Sequence, residues 1–461
     1  MRGHKRTAGL RGGLVLAVIG ATSAISASAR SQTYSGLSTG VAIAPSGLVI
    51  GDNFGDAVSA QGNLLMIGEP SADDVGVDAG AAYCFAYNAG TGSFVQFQKL
   101  TAPDAAPSNT FGSKVLLAGS TALVVSSYVF SDRSWIYVFG YEGGAFVFKQ
   151  RIDRPETGPS DKFASSLALV QDRLIVGTTY RPGFNNDEVF VYQLDTATGL
   201  YALIQRIKRD QVNFGAAVAA EGDLLLVGEP FGRPANIDSG RVYLFRWDAN
   251  LRQYGFSQYL VPPTAEQGEF DYFGATIALH GDLALIGAPG HDPVVDGSGA
   301  AYLYRRDHVT GSFTFAQKFT ALNPTIYDGF GSQVVIDGDV LATADQVYIP
   351  DPSSGSFVLE RRLVFPTGAP AGGVMAISSS LLAFGLPGDS TFAPSAGIVY
   401  GFPRSTATVP VPAVPASSAV NALLLAVLLG LAGWRSARVR ADARPTISNR
   451  RRWIRRTVIA P

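Results

Sequence analysis

A single cysteine, Cys84, in 461 residues excludes an intramolecular disulfide, so packing and hydrogen bonding must hold this chain together. Charge is scarce as well. Asp, Glu, Lys and Arg make up 16% of the residues, against roughly 25% in an average soluble domain. With 36 Lys and Arg against 37 Asp and Glu the formal net charge is −1, which gives no overall field to steer a polyanion and argues against a nucleic-acid binder. There are only four histidines, and the chain has no Gly-x-Ser-x-Gly elbow, no phosphate loop and no sialidase-type Asp box. Apolar side chains are abundant at 47%, together with 52 glycines, which is too apolar for a disordered chain and enough for a large core.

The net charge sums unlike parts. Residues 30–409 hold 23 basic and 36 acidic side chains, a balance of −13, whereas 435–461 hold nine Arg and one Asp, a balance of +8. At the start, Arg2, Lys5, Arg6 and Arg11 precede a short apolar run, Leu14 to Ile19, and a small-residue stretch ends at Ala27-Ser28-Ala29. That order is that of a secretory signal peptide, expected at 1–29, with a linker at 30–46. Residues 406–418, with Val409-Pro410-Val411-Pro412, form a polyproline-like spacer. The uncharged stretch 419–434, extended backward by that spacer, is long enough for a transmembrane or sorting helix. Arg435, Arg438, Arg440 and Arg444 follow at once, so the positive-inside bias puts a basic tail, 435–461, in the cytoplasm and the body outside. The layout resembles the PEP-CTERM and IPTL-CTERM sorting signals of exported bacterial proteins, without their Val-Pro-Glu-Pro or Ile-Pro-Thr-Leu. The expectation is an exported protein of the cell envelope or cell surface, anchored by its C-terminal helix or released after processing.

Between the ends one unit recurs seven times. Phe-Gly stands at Phe54-Gly55, Phe111-Gly112, Phe214-Gly215, Phe273-Gly274 and Phe330-Gly331, with degenerate copies at Phe163-Ala164 and Ala371-Gly372. Fourteen residues after each first position, Gly68, Gly177, Gly228, Gly287 and Gly385 end an apolar run, four of them as Gly-x-Pro, where proline stops a strand. An alternating aromatic strand follows, as in Tyr83-Cys84-Phe85, Tyr243-Leu244-Phe245 and Tyr400-Gly401-Phe402, which puts both rings of a strand on one face. A fourth strand, such as Phe94 to Leu100, closes copies one to six. Four short antiparallel strands repeated seven times at roughly 50 residues predict an all-β fold, a seven-bladed β-propeller over 47–405. Copy seven lacks a fourth strand, and an orphan apolar segment, Gly47-Leu48-Val49-Ile50, precedes the first Phe-Gly. Residues 47–51 are therefore expected to close the ring as an N-terminal strand of the last blade.

These residues, Phe-Gly followed by Gly-Ala/Glu-Pro and a Tyr-containing strand, resemble the FG-GAP repeat family, whose best-known members form the propeller head of integrin α subunits. The resemblance implies extracellular recognition or adhesion without chemistry. Integrin-type repeats carry Ca²⁺ in a long loop between their first and second strands. Here that link is a tight turn, as in Gln61-Gly62-Asn63 and Glu221-Gly222-Asp223, with too few oxygens for a six- to eight-ligand cage.

In such blades the long connections share one side, which makes that side the candidate recognition face. Its loops supply Asp73, Asp74, Asp78, Asp238, Glu266, Glu269, Asp271, Asp292 and Asp296. Asp73-Asp74 with Asp78 offers oxygens to a cation but matches no known calcium loop, and no cofactor or metal is expected. His280, His291 and His308 are read as surface residues divided between the two sides, and Cys84 as a buried small hydrophobe. The expected function is a monomeric binding module for an extracellular protein or glycan. The alternatives are a polysaccharide hydrolase or lyase with Asp73, Asp271 or Asp292 as acid and base, or a structural envelope component with no discrete ligand.

Overall fold

Alternating apolar residues build the strands, as a period of two requires. The computed structural model describes residues 40–404 except 129–132, 156–161, 180–186, 210–212, 235–238 and 366–372. The expected signal peptide, spacer, C-terminal helix and basic tail lie outside the described residues, as does Ala371-Gly372. Among the described residues no helix is long and apolar enough to cross a membrane.

The first strand, β1 (Val41–Ile43), stands apart. Blade 1 follows as β2 (Ala57–Gln61), β3 (Leu64–Glu69), β4 (Ala81–Asn88) and β5 (Ser93–Leu100), and blade 2 as β6 (Lys114–Ala118), β7 (Thr121–Ser127), β8 (Ser134–Glu142) and β9 (Ala145–Asp153). Blade 3 contains β10 (Lys162–Val170), β11 (Arg173–Thr179), β12 (Glu188–Asp195) and β13 (Leu200–Lys208), and blade 4 contains β14 (Val218–Glu221), β15 (Leu224–Glu229), β16 (Arg241–Asp248) and β17 (Gln253–Leu260). Blade 5 is β18 (Thr276–His280), β19 (Leu283–Ala288), β20 (Ala300–Arg306) and β21 (Phe313–Phe319), and blade 6 is β22 (Val334–Asp337), β23 (Val340–Thr343), β24 (Gln346–Pro350) and β25 (Phe357–Arg362). Blade 7 has β26 (Val374–Ile377), β27 (Leu381–Leu386) and β28 (Ile398–Pro403), and β1 completes it in the order β1-β28-β27-β26. Each blade is a four-stranded antiparallel sheet, so the chain is a seven-bladed propeller closed by an N-terminal strand.

The closing strand is not the one expected. Val41 pairs with Gly401, Ala42 with Tyr400 and Ile43 with Val399, whereas residues 47–51 form turns and leave Val49 and Ile50 exposed. Gly47 and Gly51 have φ of 93° and 86°, which an extended strand does not tolerate. The propeller therefore begins inside the stretch read as a linker.

The core is divided among the seams. Seven hydrophobic clusters each draw on two neighbouring blades, and one joins Ile43, Ala383 and Val399 of blade 7 to Leu65, Ile67, Tyr83 and Phe85 of blade 1. The repeated residues explain themselves there. Phe54, Phe111, Phe214 and Phe273 are fully buried, and each meets its blade's strand-three tyrosine edge-on at 5.1–5.6 Å. In blade 7, Phe365 takes this place against Tyr400 (5.7 Å) and Phe402 (5.6 Å). The second-strand glycines face the next blade's main chain: a Cβ on Gly68 would overlap the carbonyl oxygen of Gly112, and one on Gly385 that of Gly55, across the closure.

Candidate recognition face

Short turns and long loops separate onto opposite sides. The links between first and second and between third and fourth strands lie together, as shown by Tyr87 N–H donating to the Asn63 carbonyl (2.8 Å) and Trp247 N–H to that of Asp223 (2.7 Å). On the other side the second-to-third loops of blades 1, 4, 5 and 7 are each bonded to the segment entering the next blade. Gly80 bridges Phe111, Gly240 Phe273, Gly299 Phe330 and Gly397 Phe54. Ser108 N–H donates to Val77 (2.8 Å), Tyr327 N–H to Asp296 (2.9 Å) and Gly51 N–H to Pro394 (3.0 Å), so at these seams the loop and the entry segment are held together.

Several carboxylates of this face serve their own loops. Asp73 Oδ1 accepts the N–H of Asp78 at 2.7 Å, Asp292 accepts that of Gly297 in the same way, and Ser390 Oγ takes the matching place in blade 7 toward Ser395 (3.1 Å). Asp78 itself has φ of 51° and is half-buried, and Asp74 pairs with Lys99. A second set contains only one residue singled out in the sequence, Asp271. Asp52, Asp271 and Asp328 each stand two residues before the phenylalanine of a Phe-Gly and accept the N–H of the residue three earlier, Val49 at 2.6 Å, Gly268 at 2.6 Å and Thr325 at 2.5 Å. The repeated Asp-x-Phe-Gly was the signal. Glu269 and Asp296 are exposed, Asp271 is buried, and Asp238 lies outside the described residues. Asp73 and the pair Asp271 and Asp292 belong to loops of non-adjacent blades, so the geometry does not bring these three together.

His291 departs from its reading as a surface residue. It is 7% exposed, with Nδ1 3.0 Å from Asp271 Oδ1, Nε2 3.4 Å from Glu266 Oε2, and its ring against Tyr302. Glu266 also pairs with Lys318, which holds its carboxyl below the usual range. The histidine thus ties the 262–272 loop to the 289–299 loop. His280 and His308 are on the opposite side, near Asp337 and Asp282.

Buried titratable groups mark the seams. Burial pushes the Glu69 carboxyl up to about 7, although it accepts the Tyr83 hydroxyl at 2.6 Å. Burial likewise raises Glu229, against the opposing pull of Arg241 and Tyr243. The Cys84 thiol, also buried, is pushed up to about 12. Among the described residues no three His, Cys, Asp or Glu are grouped to hold a metal ion.

The loops present apolar tips to solvent instead. Ile50, Val77, Val294, Ile326, Tyr327 and Phe392 are all more than half exposed, Tyr327 reaching 80%. Exposed Phe231 packs its ring on Tyr272 at 5.1 Å. In blade 6 the second-to-third loop is cut to Ala344 and Asp345, which opens a cavity of about 260 Å³ in the rim.

Residues 39–85, 94–148 and 263–304 match the family described as FG-GAP repeat. No curated protein matches the chain. Among solved structures, the RRP9 WD40 repeats align at 11% identity over 81% of this chain and 99% of that one, with a TM-score of 0.50. Saccharomyces cerevisiae Sqt1 aligns at 11% identity over 81% and 99%, with a TM-score of 0.44. A Bacteroides uniformis protein named as a candidate 6-phosphogluconolactonase aligns at 13% identity over 67% and 84%, with a TM-score of 0.46. At such identities the first of these speaks for the propeller fold alone, and the other two carry no argument. The chain is thus a seven-bladed β-propeller with Phe-Gly at its seams, and three of its stretches match the FG-GAP repeat.

Proposed function

We propose that the protein is an exported, membrane-tethered recognition module whose long-loop face engages a protein or glycan partner outside the cell. The observation that carries this reading is the set of apolar tips on that face. Large exposed apolar side chains carried on one face favour association because covering them removes their surface from water. The rigid ring beneath holds the tips in place, so little ordering entropy opposes binding. Export and tethering rest on the two terminal segments read from the sequence.

The test uses the full-length chain against envelope proteins and polymeric glycans. Tyr327→Ser, Phe392→Ser and Ile50→Ser are expected to weaken capture of any partner by about tenfold, equivalent to ~1.4 kcal/mol each. Val309→Ser and Leu251→Ser, on the short-turn side, are expected to leave it unchanged. Dependence on the short-turn variants alone would reject the assigned face, and turnover of a glycan would replace binding with catalysis.

A further inference from the structure

The cavity in blade 6 exists because β23 ends at Thr343 and β24 starts at Gln346, where blade 5 places residues 289–299 between the corresponding strands. Its walls come from two blades and the segment that enters the first of them. The segment leading into β22 supplies Asn323, Asp328, Ser332 and Gln333, blade 6 supplies Asp345, Gln346 and Arg362, and Phe384 of blade 7 backs it.

The charged groups are already engaged. Asp345 Oδ2 accepts Arg362 Nε at 2.7 Å, and Asp328 takes both the N–H of Thr325 (2.5 Å) and its hydroxyl. Gln346, 4% exposed, holds the Tyr348 hydroxyl on its amide oxygen at 3.0 Å, which leaves its amide N–H groups as donors. The free chemistry of the walls is therefore carboxamide and hydroxyl, from Asn323, Gln333, Gln346 and Ser332.

Such walls select by hydrogen bonding. An anion would meet two carboxylates, and an apolar group would leave the amides unsatisfied at ~1–3 kcal/mol apiece. A bare cation would find the Asp345 carboxylate already paired with Arg362 and the Asp328 carboxylate already accepting two hydrogen bonds from Thr325. Hydroxyls, which donate and accept, fit. The volume, about 260 Å³, falls below the ~300–1,000 Å³ of sites that enclose drug-sized ligands, so one ring is the scale. We infer that the blade 6 notch binds the terminal, uncharged sugar ring of a glycan. This rests on the recognition reading above and adds to it the ligand class and the site.

Saturation-transfer NMR on the full-length chain, with glucose, galactose, mannose and N-acetylglucosamine as separate probes, tests it. Ser332 is exposed and Gln333 half-buried, so Ser332→Phe, which fills the notch, and Gln333→Ala are suitable variants; an unchanged melting temperature confirms that each is folded. At least one sugar is expected to show transfer in the natural chain, falling about tenfold in both variants and unchanged in Val309→Ser. Transfer that persists in both variants would overturn the notch while leaving glycan recognition standing. No transfer from any of the four sugars would overturn the sugar chemistry. A protein ligand lost in Ser332→Phe would make the notch a protein site and would likewise overturn it.

Discussion

Gln98 holds the main chain of Phe146 by both of its hydrogen-bonding groups. The amide nitrogen donates to the Phe146 carbonyl at 2.8 Å, and the amide oxygen accepts the Phe146 N–H at 2.7 Å. Phe146 opens the outer strand of the next blade. Gln150 on Tyr201, Gln205 on Tyr254, Gln258 on Phe313 and Gln317 on Phe357 repeat the clasp at the following seams. The spacing is a fixed aromatic-x-x-x-Gln in the fourth strand, and the sixth copy has Arg361 in place of the glutamine. Hydrophobic clusters join the blades from within, and the glutamines join them at the outer strands.

Gln205→Ala removes two bonds and leaves a main-chain donor and acceptor of Tyr254 unpaired. The expected cost is about 2 kcal/mol, read as a lowered midpoint in denaturant unfolding. Gln205→Glu has the same size but cannot donate to the Tyr254 carbonyl, so it is expected to be at least as destabilising. An unchanged midpoint in both variants would remove the clasp from the account of seam stability.

Gly68→Ala tests the other half of the seam. The added methyl would overlap the Gly112 carbonyl, which belongs to main chain and cannot rotate away as a side chain can. Overpacking of this kind costs typically 1–3 kcal/mol, and a rigid neighbour places it at about 3. Thermal unfolding should show it, and an equal loss in Gly385→Ala would show that the closing seam is built like the others. A Gly68→Ala variant as stable as the natural chain would mean that blades 1 and 2 yield.

Glu69 makes stability depend on pH in a direction opposite to that of most carboxylates. Its folded-state value of about 7 lies above the unfolded 4.5, because burial disfavours the charged form. Its contribution is therefore fully present below 4.5 and is lost as pH rises through about 7, a difference on the order of 3 kcal/mol. Glu69→Gln keeps an acceptor for the Tyr83 hydroxyl and removes the titration. The variant should match the natural protein in acid and exceed it in stability at about pH 8. Parallel stability profiles across this range would show that Glu69 ionises without cost.

The propeller was legible because its marks are demanded by main-chain geometry. A glycine facing a carbonyl, a proline ending a strand and a phenylalanine under two rings must recur wherever the seam recurs. Where the marks fail, they fail together: Val125 stands in blade 2 at the second-strand glycine position, and the next Phe-Gly is Phe163-Ala164, with Ala164 held at φ of 61°. The recognition face was less legible. Alternation told which side the loops take, but not that Asp73 and Asp292 turn back onto their own loops, since that depends on the rotamer and on a partner five residues on. His291 was misread because its burial comes from the segment entering blade 5 and that blade's second-to-third loop, which the sequence does not place side by side. Phe365 replaces a motif phenylalanine from outside the motif, so no spacing announces it.

The closing strand was misplaced for a related reason, and it gives the sharpest test of the ring. Val41–Ile43 and Gly47–Ile50 are both short apolar runs before the first Phe-Gly, and only the positive φ of Gly47 and Gly51 separates them. A chain that begins at residue 47 would retain the segment first expected to close the ring but would lose β1. β28 would then be an open edge, with its outward main-chain groups available to another chain. Ile43, 2% exposed, packs in the cluster that joins blade 7 to blade 1, so Ile43→Ala should cost about 2–4 kcal/mol by removing buried surface and leaving a cavity. The truncated chain should cost more, because a propeller without its clasp loses the cooperativity of the circle and not only one side chain, and it should associate through the free edge, seen by light scattering. Val49→Ala, at an exposed turn position, should change little. If Val49→Ala destabilised as much as Ile43→Ala, or if the chain starting at 47 unfolded at the same temperature as the natural one, the ring would be closed by something other than β1.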